Sequence, residues 1–138
     1  MTALIDTNVI LAYAFAKDKN HQQAVALMKV LSKESLIVVA PVLAELFYMT
    51  AIRLHYPRAI QIFASTQAAF PIENLRHDDM ARMQAIMTQY QDAAFDFVDV
   101  AIMAVAERLH IVRVGTFDRR DFTIFRPAHC DHLELLPD

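Results

Sequence analysis

At 138 residues, with 56 % hydrophobic side chains and a single glycine, the chain is long enough for one compact domain with a real core and too poor in glycine for a phosphate-cradling loop. A formal net charge of −3 excludes a globally basic nucleic-acid binder, so any such contact falls to a local patch. One cysteine, Cys130, excludes an internal disulfide and fits a reducing compartment; without a basic leader or an apolar run of membrane length, the expected location is the cytoplasm and no membrane partner is expected.

Ala3-Leu4-Ile5 reads as a short apolar strand that ends at Asp6-Thr7-Asn8. Val9 to Phe15 is either a buried helix or a continuation of that strand. From His21 to Lys33 the spacing of Ala24, Leu27, Met28 and Leu31 is that of an amphipathic helix. Leu36 to Ala40 is a second strand, and Pro41 suits the first turn of a helix running from Val42 to about Tyr56 with Glu45 near its start. Pro57 opens another helix to about Ala69, and Phe70 to Leu75 is a short strand. Met80, Met83, Ile86, Met87 and Tyr90 share one helical face and read as packing.

The run Phe97 to Leu109 is apolar almost all round, as in a helix buried on several sides, yet it carries Asp99 in its first turn with Asp96 just before it. Ile111 to Thr116 is the following strand, leading to Asp118; Thr123-Ile124-Phe125 is expected as a last short strand, and the tail from Ala128 is unassigned. Strands alternating with helices, with no repeat or linker, predict a single domain over residues 1–138: an α/β fold with a mainly parallel sheet and helices on both faces.

In such sheets the functional crevice lies outside the carboxyl ends of the strands. Asp6, Glu45, Asp99 and Asp118 all fall at those ends by chain position. Two carboxylates about 4 Å apart repel by roughly 4 kcal/mol at an effective dielectric near 20. Four together need a divalent cation or must partly protonate, and an all-oxygen set favours Mg²⁺ or Mn²⁺ over zinc.

The pieces Leu4-Ile5-Asp6-Thr7-Asn8-Val9-Ile10, Val42-Leu43-Ala44-Glu45-Leu46, Phe97-Val98-Asp99-Val100-Ala101 through Leu109, and Thr116-Phe117-Asp118-Arg119-Arg120-Asp121-Phe122 occur in the order found in one family. On them the chain resembles the PIN-domain ribonucleases, most closely the toxin halves of VapBC toxin–antitoxin pairs. The resemblance spans nearly the whole chain and implies a PIN-like three-layer α/β/α domain. It makes Asp6, Glu45, Asp99 and Asp118 the quartet that holds Mg²⁺ or Mn²⁺, with Thr116 and Asn8 orienting a carboxylate or metal water. It implies RNA phosphodiester hydrolysis by metal-activated water, a cognate antitoxin protein and a homodimer; the high apolar content also leans to an oligomer. The family's usual Gly after the central helix is His110 here, and its usual Leu after the Thr is Phe117; neither is a ligand position.

Each residue also has a plainer role. Asp6 suits a helix cap, Glu45 a first-turn acid in the helix dipole, Asp118 a turn. For Asp96 capping is the expected role, with a supporting metal contact second. Asp121 is expected in a turn or paired with an arginine, and Asp92 in solvent. Arg119 and Arg120 either grip the RNA backbone or neutralise the acids. His129, Cys130, Asp131 and His132 lack the second pair that a zinc motif needs. Two other functions compete. A haloacid-dehalogenase-type phosphatase would use Asp6 as nucleophile but needs an Asp where Asn8 stands; a non-catalytic RNA- or protein-binding module would have no need of all four acids.

Overall fold

Strand β1 (Thr2–Ile5) is the middle strand of five, and Ala3, Leu4 and Ile5 within it have no solvent exposure. A strand apolar on both faces is buried between two helical layers. The computed structural model, which describes Met1–Asp138, supplies both. The sheet order is β3-β2-β1-β4-β5, with β2 (Ser35–Val39), β3 (Ile72–Glu73), β4 (Arg113–Gly115) and β5 (Glu134–Leu136), and every neighbouring pair is parallel. The expected mainly parallel α/β/α architecture is therefore the observed one, and fully parallel. The chain builds outward from β1 through β2 to β3, then crosses back to β4 on the other side of β1. The strand order thus reverses between β1 and β4, where a crevice must open.

The ambiguous run after Asp6 is helix α1 (Thr7–Ala14), capped by the Asp6 side chain. Helix α2 (His21–Val30) continues in a 3₁₀ turn, and Ala24, Leu27 and Leu31 are its buried contacts. Helices α3 (Ala40–Arg53) and α4 (Tyr56–Ala69) each carry a proline in the first turn and form a hairpin, with Phe47 edge-on to both Tyr56 and Phe63. Helix α5 (His77–Gln89) packs on α6 (Phe97–Leu109), in which the nine residues Val98 to Ala106 are all buried. That all-round burial is what its apolar sequence predicted. No helix is long and apolar enough to cross a membrane.

One expected element is wrong. Thr123-Ile124-Phe125 is not a strand: Arg120–Ile124 is helix α7, with Thr123 N–H donating to Arg119 O and Phe125 N–H to Asp121 O. Phe122 and Phe125 are the buried pair, at helical spacing. The fifth strand comes from the unassigned tail, where β5 pairs with β4. The sole glycine, Gly115, ends β4; a Cβ there would stand 3.0 Å from Ile5 Cδ1, a tight contact that the tip of the Ile5 side chain would have to shift to relieve.

Candidate functional site

The carboxyl ends of β1 and β4 are pinned together where the order reverses. Asp6 N–H donates to Gly115 O at 2.9 Å, which extends the ladder by one residue and sets Asp6 opposite Thr116. Around this seam Asp6, Thr7, Asn8, Glu45, Met49, Asp96, Asp99 and Asp118 line a pocket of about 200 Å³. The four acids singled out from the sequence, 39 to 112 residues removed from one another along the chain in the case of Asp6 and the rest, therefore meet in one place.

Each arrives by a different element. Asp6 ends β1 and caps α1: its Oδ1 accepts Thr7 N–H at 2.8 Å, so capping coexists with a place in the pocket. Glu45 lies in the second turn of α3, beyond the reach of a first-turn dipole role. Asp99 is in the first turn of α6 and 5 % exposed; Asp96 caps that helix through Val98 N–H at 2.8 Å and also lines the pocket. Asp118 sits in the loop between β4 and α7.

Thr116 and Asn8 tie these elements together. Thr116 Oγ1 donates to Asp6 Oδ2 at 2.8 Å and accepts the Asp118 N–H at 3.1 Å. Asn8 Oδ1 accepts Phe117 N–H at 3.0 Å, which fixes the amide's orientation, and Nδ2 then faces Thr116 Oγ1 at 3.3 Å. Because the residue two after Asp6 is an amide committed to these bonds, it is no general acid for an aspartyl-phosphate route.

The electrostatics are unfavourable as they stand. Burial pushes the Asp6 carboxyl up to about 6; the Thr116 and Thr7 bonds oppose this, and the charges of Glu45 and Asp118 add to it. Asp99 is raised as well, first by burial, then by the Asp6 charge and by its hydrogen bond to Asp121. No Lys or Arg forms an ion pair with any of the quartet. An all-oxygen donor set, unpaired and destabilised by its own charge, fits a hard divalent cation. No three such groups are drawn into a ready-made cage. Thr7 Oγ1 beside the pocket is also buried without a partner.

Asp121, read from sequence as a turn residue or arginine partner, is buried and bonded to Arg120, while its other oxygen accepts the Asp96 N–H. Its place beneath α6 has no signal in local sequence. Arg119 is exposed. Asp92 is exposed as expected, and His129, Cys130 and His132 form no metal-holding group.

A PIN domain family model matches residues 3–126. Ribonuclease VapC26 of Mycobacterium tuberculosis is 29 % identical over 135 residues, 97 % of this chain and 99 % of the relative. Among solved structures, Mycobacterium tuberculosis VapC20, described as a sarcin–ricin-loop-cleaving toxin, superposes with a TM-score of 0.77 at 21 % identity, covering 85 % of this chain and 90 % of that one. VapBC2 of Rickettsia felis, bound to a promoter DNA fragment, has a TM-score of 0.72 at 14 % identity over 98 % of both chains. These structural likenesses carry the fold.

Proposed function

Because this chain belongs to the PIN-domain family, we propose that it is a Mg²⁺- or Mn²⁺-dependent endoribonuclease, the toxin of a toxin–antitoxin pair. The observation that supports this reading most is the convergence of Asp6, Glu45, Asp99 and Asp118 on one pocket at the reversal of strand order. A divalent ion bound there would activate water and offset charge on the phosphate.

The residues of the chain do the rest. Thr7 N–H and Thr116 Oγ1 each bond one oxygen of Asp6, so its carboxylate is held in plane and charged once a cation arrives. Thr116 also carries the backbone of Asp118. The N-termini of α1 and α6 open on the pocket, and their positive ends favour a phosphate group near the acids. In this reading Arg119, exposed and next to Asp118 in the chain, supplies a cation for the RNA backbone. The family relation extends to a cognate antitoxin protein and a homodimer as partners, and with them a cytoplasmic site of action.

The test is expression of wild type and Asp99→Asn in a bacterium, with recovered RNA ends mapped. Growth arrest with discrete cuts in the wild type alone is expected. Equal cutting by Asp99→Asn would overturn the reading. Trapping of a phosphate analogue on Asp6 would instead favour the phosphatase chemistry.

A further inference from the structure

The two arginines after Asp118 part company. Arg119 is exposed and enters no ion pair. Arg120 is exposed too, with 59 % of its side chain in solvent, but it is engaged at both terminal nitrogens: Nη1 donates to Asp121 Oδ1 at 2.7 Å and Nη2 to the Ala93 carbonyl oxygen at 2.9 Å. Both partners bear on the first turn of α6. Asp121 is 6 % exposed and through Oδ2 accepts the N–H of Asp96, the residue that caps α6 three positions before Asp99, at 3.1 Å. Ala93 lies in the loop that delivers the chain to Asp96.

That loop is not at rest by itself. Ala94 holds φ at 51°, a left-handed backbone that side chains with a Cβ rarely adopt. Such conformations persist where neighbours over-determine them. The carbonyl that Arg120 grips belongs to the Ala93–Ala94 peptide, directly beside the strained residue. Tyr90, stacked on Phe95 and bonded through its hydroxyl to Arg126 N–H, fastens the same loop from its other side. A planar fork is needed to reach a carboxylate and a carbonyl at once; a lysine offers one point charge and cannot span them.

We propose that Arg120 is a positioning residue, a strap between α7 and the loop before α6 that fixes Asp99 in the acidic pocket, and that of the two arginines Arg119 is the one that contacts RNA. This rests on the metal-dependent nuclease reading above.

Three quantities test it on the full chain: Mn²⁺ affinity by calorimetry, affinity for a fluorescent single-stranded RNA in chelator by anisotropy, and amide exchange of residues 90–98 well below the melting temperature. Arg120→Ala and Arg120→Lys should both weaken Mn²⁺ binding about tenfold, the range for residues that orient metal ligands. Both should leave RNA affinity within about twofold and speed exchange in the 90–98 segment. Arg119→Ala should leave Mn²⁺ affinity intact, weaken RNA several-fold and flatten its salt dependence by about one phosphate contact. The strap is overturned if Arg120→Lys binds Mn²⁺ as the wild type does, or if Arg120→Ala loses RNA affinity with metal affinity unchanged. Absence of Mn²⁺ binding in the wild type would instead remove the metal reading itself. Should Arg120→Ala not fold, Arg120→Lys carries the same comparison.

Discussion

Buried carboxylates occupy two kinds of surroundings in this molecule. Asp79 and Glu107, on the seam of α5 and α6, are bonded to guanidinium groups: Asp79 to Arg108 at 2.9 Å, with Glu73 on the same arginine, and Glu107 to Arg82 at 2.6 Å. Burial by itself would raise both, but the arginine bonds outweigh it and hold both below the usual carboxylate range. Asp6 and Asp99 are as buried as Asp79, yet no basic side chain pairs with them and both are raised. At the amino end of the sheet Arg113 likewise pairs with Glu34 and Glu134. The chain brings a cation of its own to its structural acids and none to the pocket. The difference separates acids that hold the fold from acids whose charge must be met from outside.

The largest effect expected from this contrast is in activity. Asp99→Asn should lower RNA cleavage on the order of 10³-fold, the scale for removing one preorganised charge from a site. The same change should leave the metal-free protein as stable as the wild type or more so, because the buried Asp99 carboxyl, with no cationic partner, ionises far less readily than in the unfolded chain and Asn carries no such penalty. Chelator-treated samples in urea provide the check. A fall in stability like that of an arginine-paired acid would break the distinction.

Next in size is Arg108→Ala, which strands Asp79 and Glu73 together. Leaving a buried carboxylate unpaired costs about 3–5 kcal/mol, a large part of the stability of a domain of this size. Urea titration should show that loss, while the cleavage rate per folded molecule at low temperature stays within about twofold of wild type.

The pH dependence sharpens the contrast further, since the two sets move in opposite senses. Asp6 binds its proton up to about pH 6 when folded but only to about 3.8 when unfolded. Between those values the folded state holds the extra proton, so the contribution of Asp6 is full below about pH 4 and lost as the pH rises through 6, up to about 3 kcal/mol. Asp79 and Glu107 titrate below their unfolded values of 3.8 and 4.5, so their contribution is present above that range and lost as the pH falls through it. Metal-free protein should therefore be most stable near pH 4–5. Mn²⁺ competes with the proton for the pocket, so its upward shift of the melting temperature should be small at pH 5 and grow as the pH rises through 6 and beyond, because Asp99 is raised as well as Asp6. A metal-induced shift independent of pH would count against metal binding at Asp6.

Much of this was legible in the sequence because strand ends in a parallel sheet have fixed places. An acid after β1 and another after β4 had to meet once those strands were neighbours, and the all-apolar run around Asp99 marked α6 as central. The misread segment shows the limit: over Thr123-Ile124-Phe125 three residues fit alternation and helical spacing alike, and only the burial of Phe122 with Phe125 decides for the helix. The ion pairs were not legible, since Arg108 lies 29 residues from Asp79 and 35 from Glu73. The separation of Arg119 from Arg120 was hidden for the same reason: the Ala93 carbonyl lies 27 residues from Arg120.

The smallest prediction concerns a departure from the family pattern that the backbone makes measurable. His110 closes α6 at φ 55° and ψ 40°, a left-handed cap with its N–H bonded to Ala106 O and Glu107 O. This conformation costs a residue with a Cβ roughly 1–2 kcal/mol and costs glycine almost nothing, which is why helices so often end on glycine. Glycine loses more freedom on folding, which returns part of that difference, and the edge-on contact of His110 with the His129 ring would go too. The net for His110→Gly is a gain of about 0.5–1 kcal/mol. It should show as a higher urea midpoint at unchanged slope, with Mn²⁺ affinity and cleavage untouched, since the cap lies at the far end of α6 from Asp99. A loss of stability would mean that the His110–His129 contact outweighs the strained backbone.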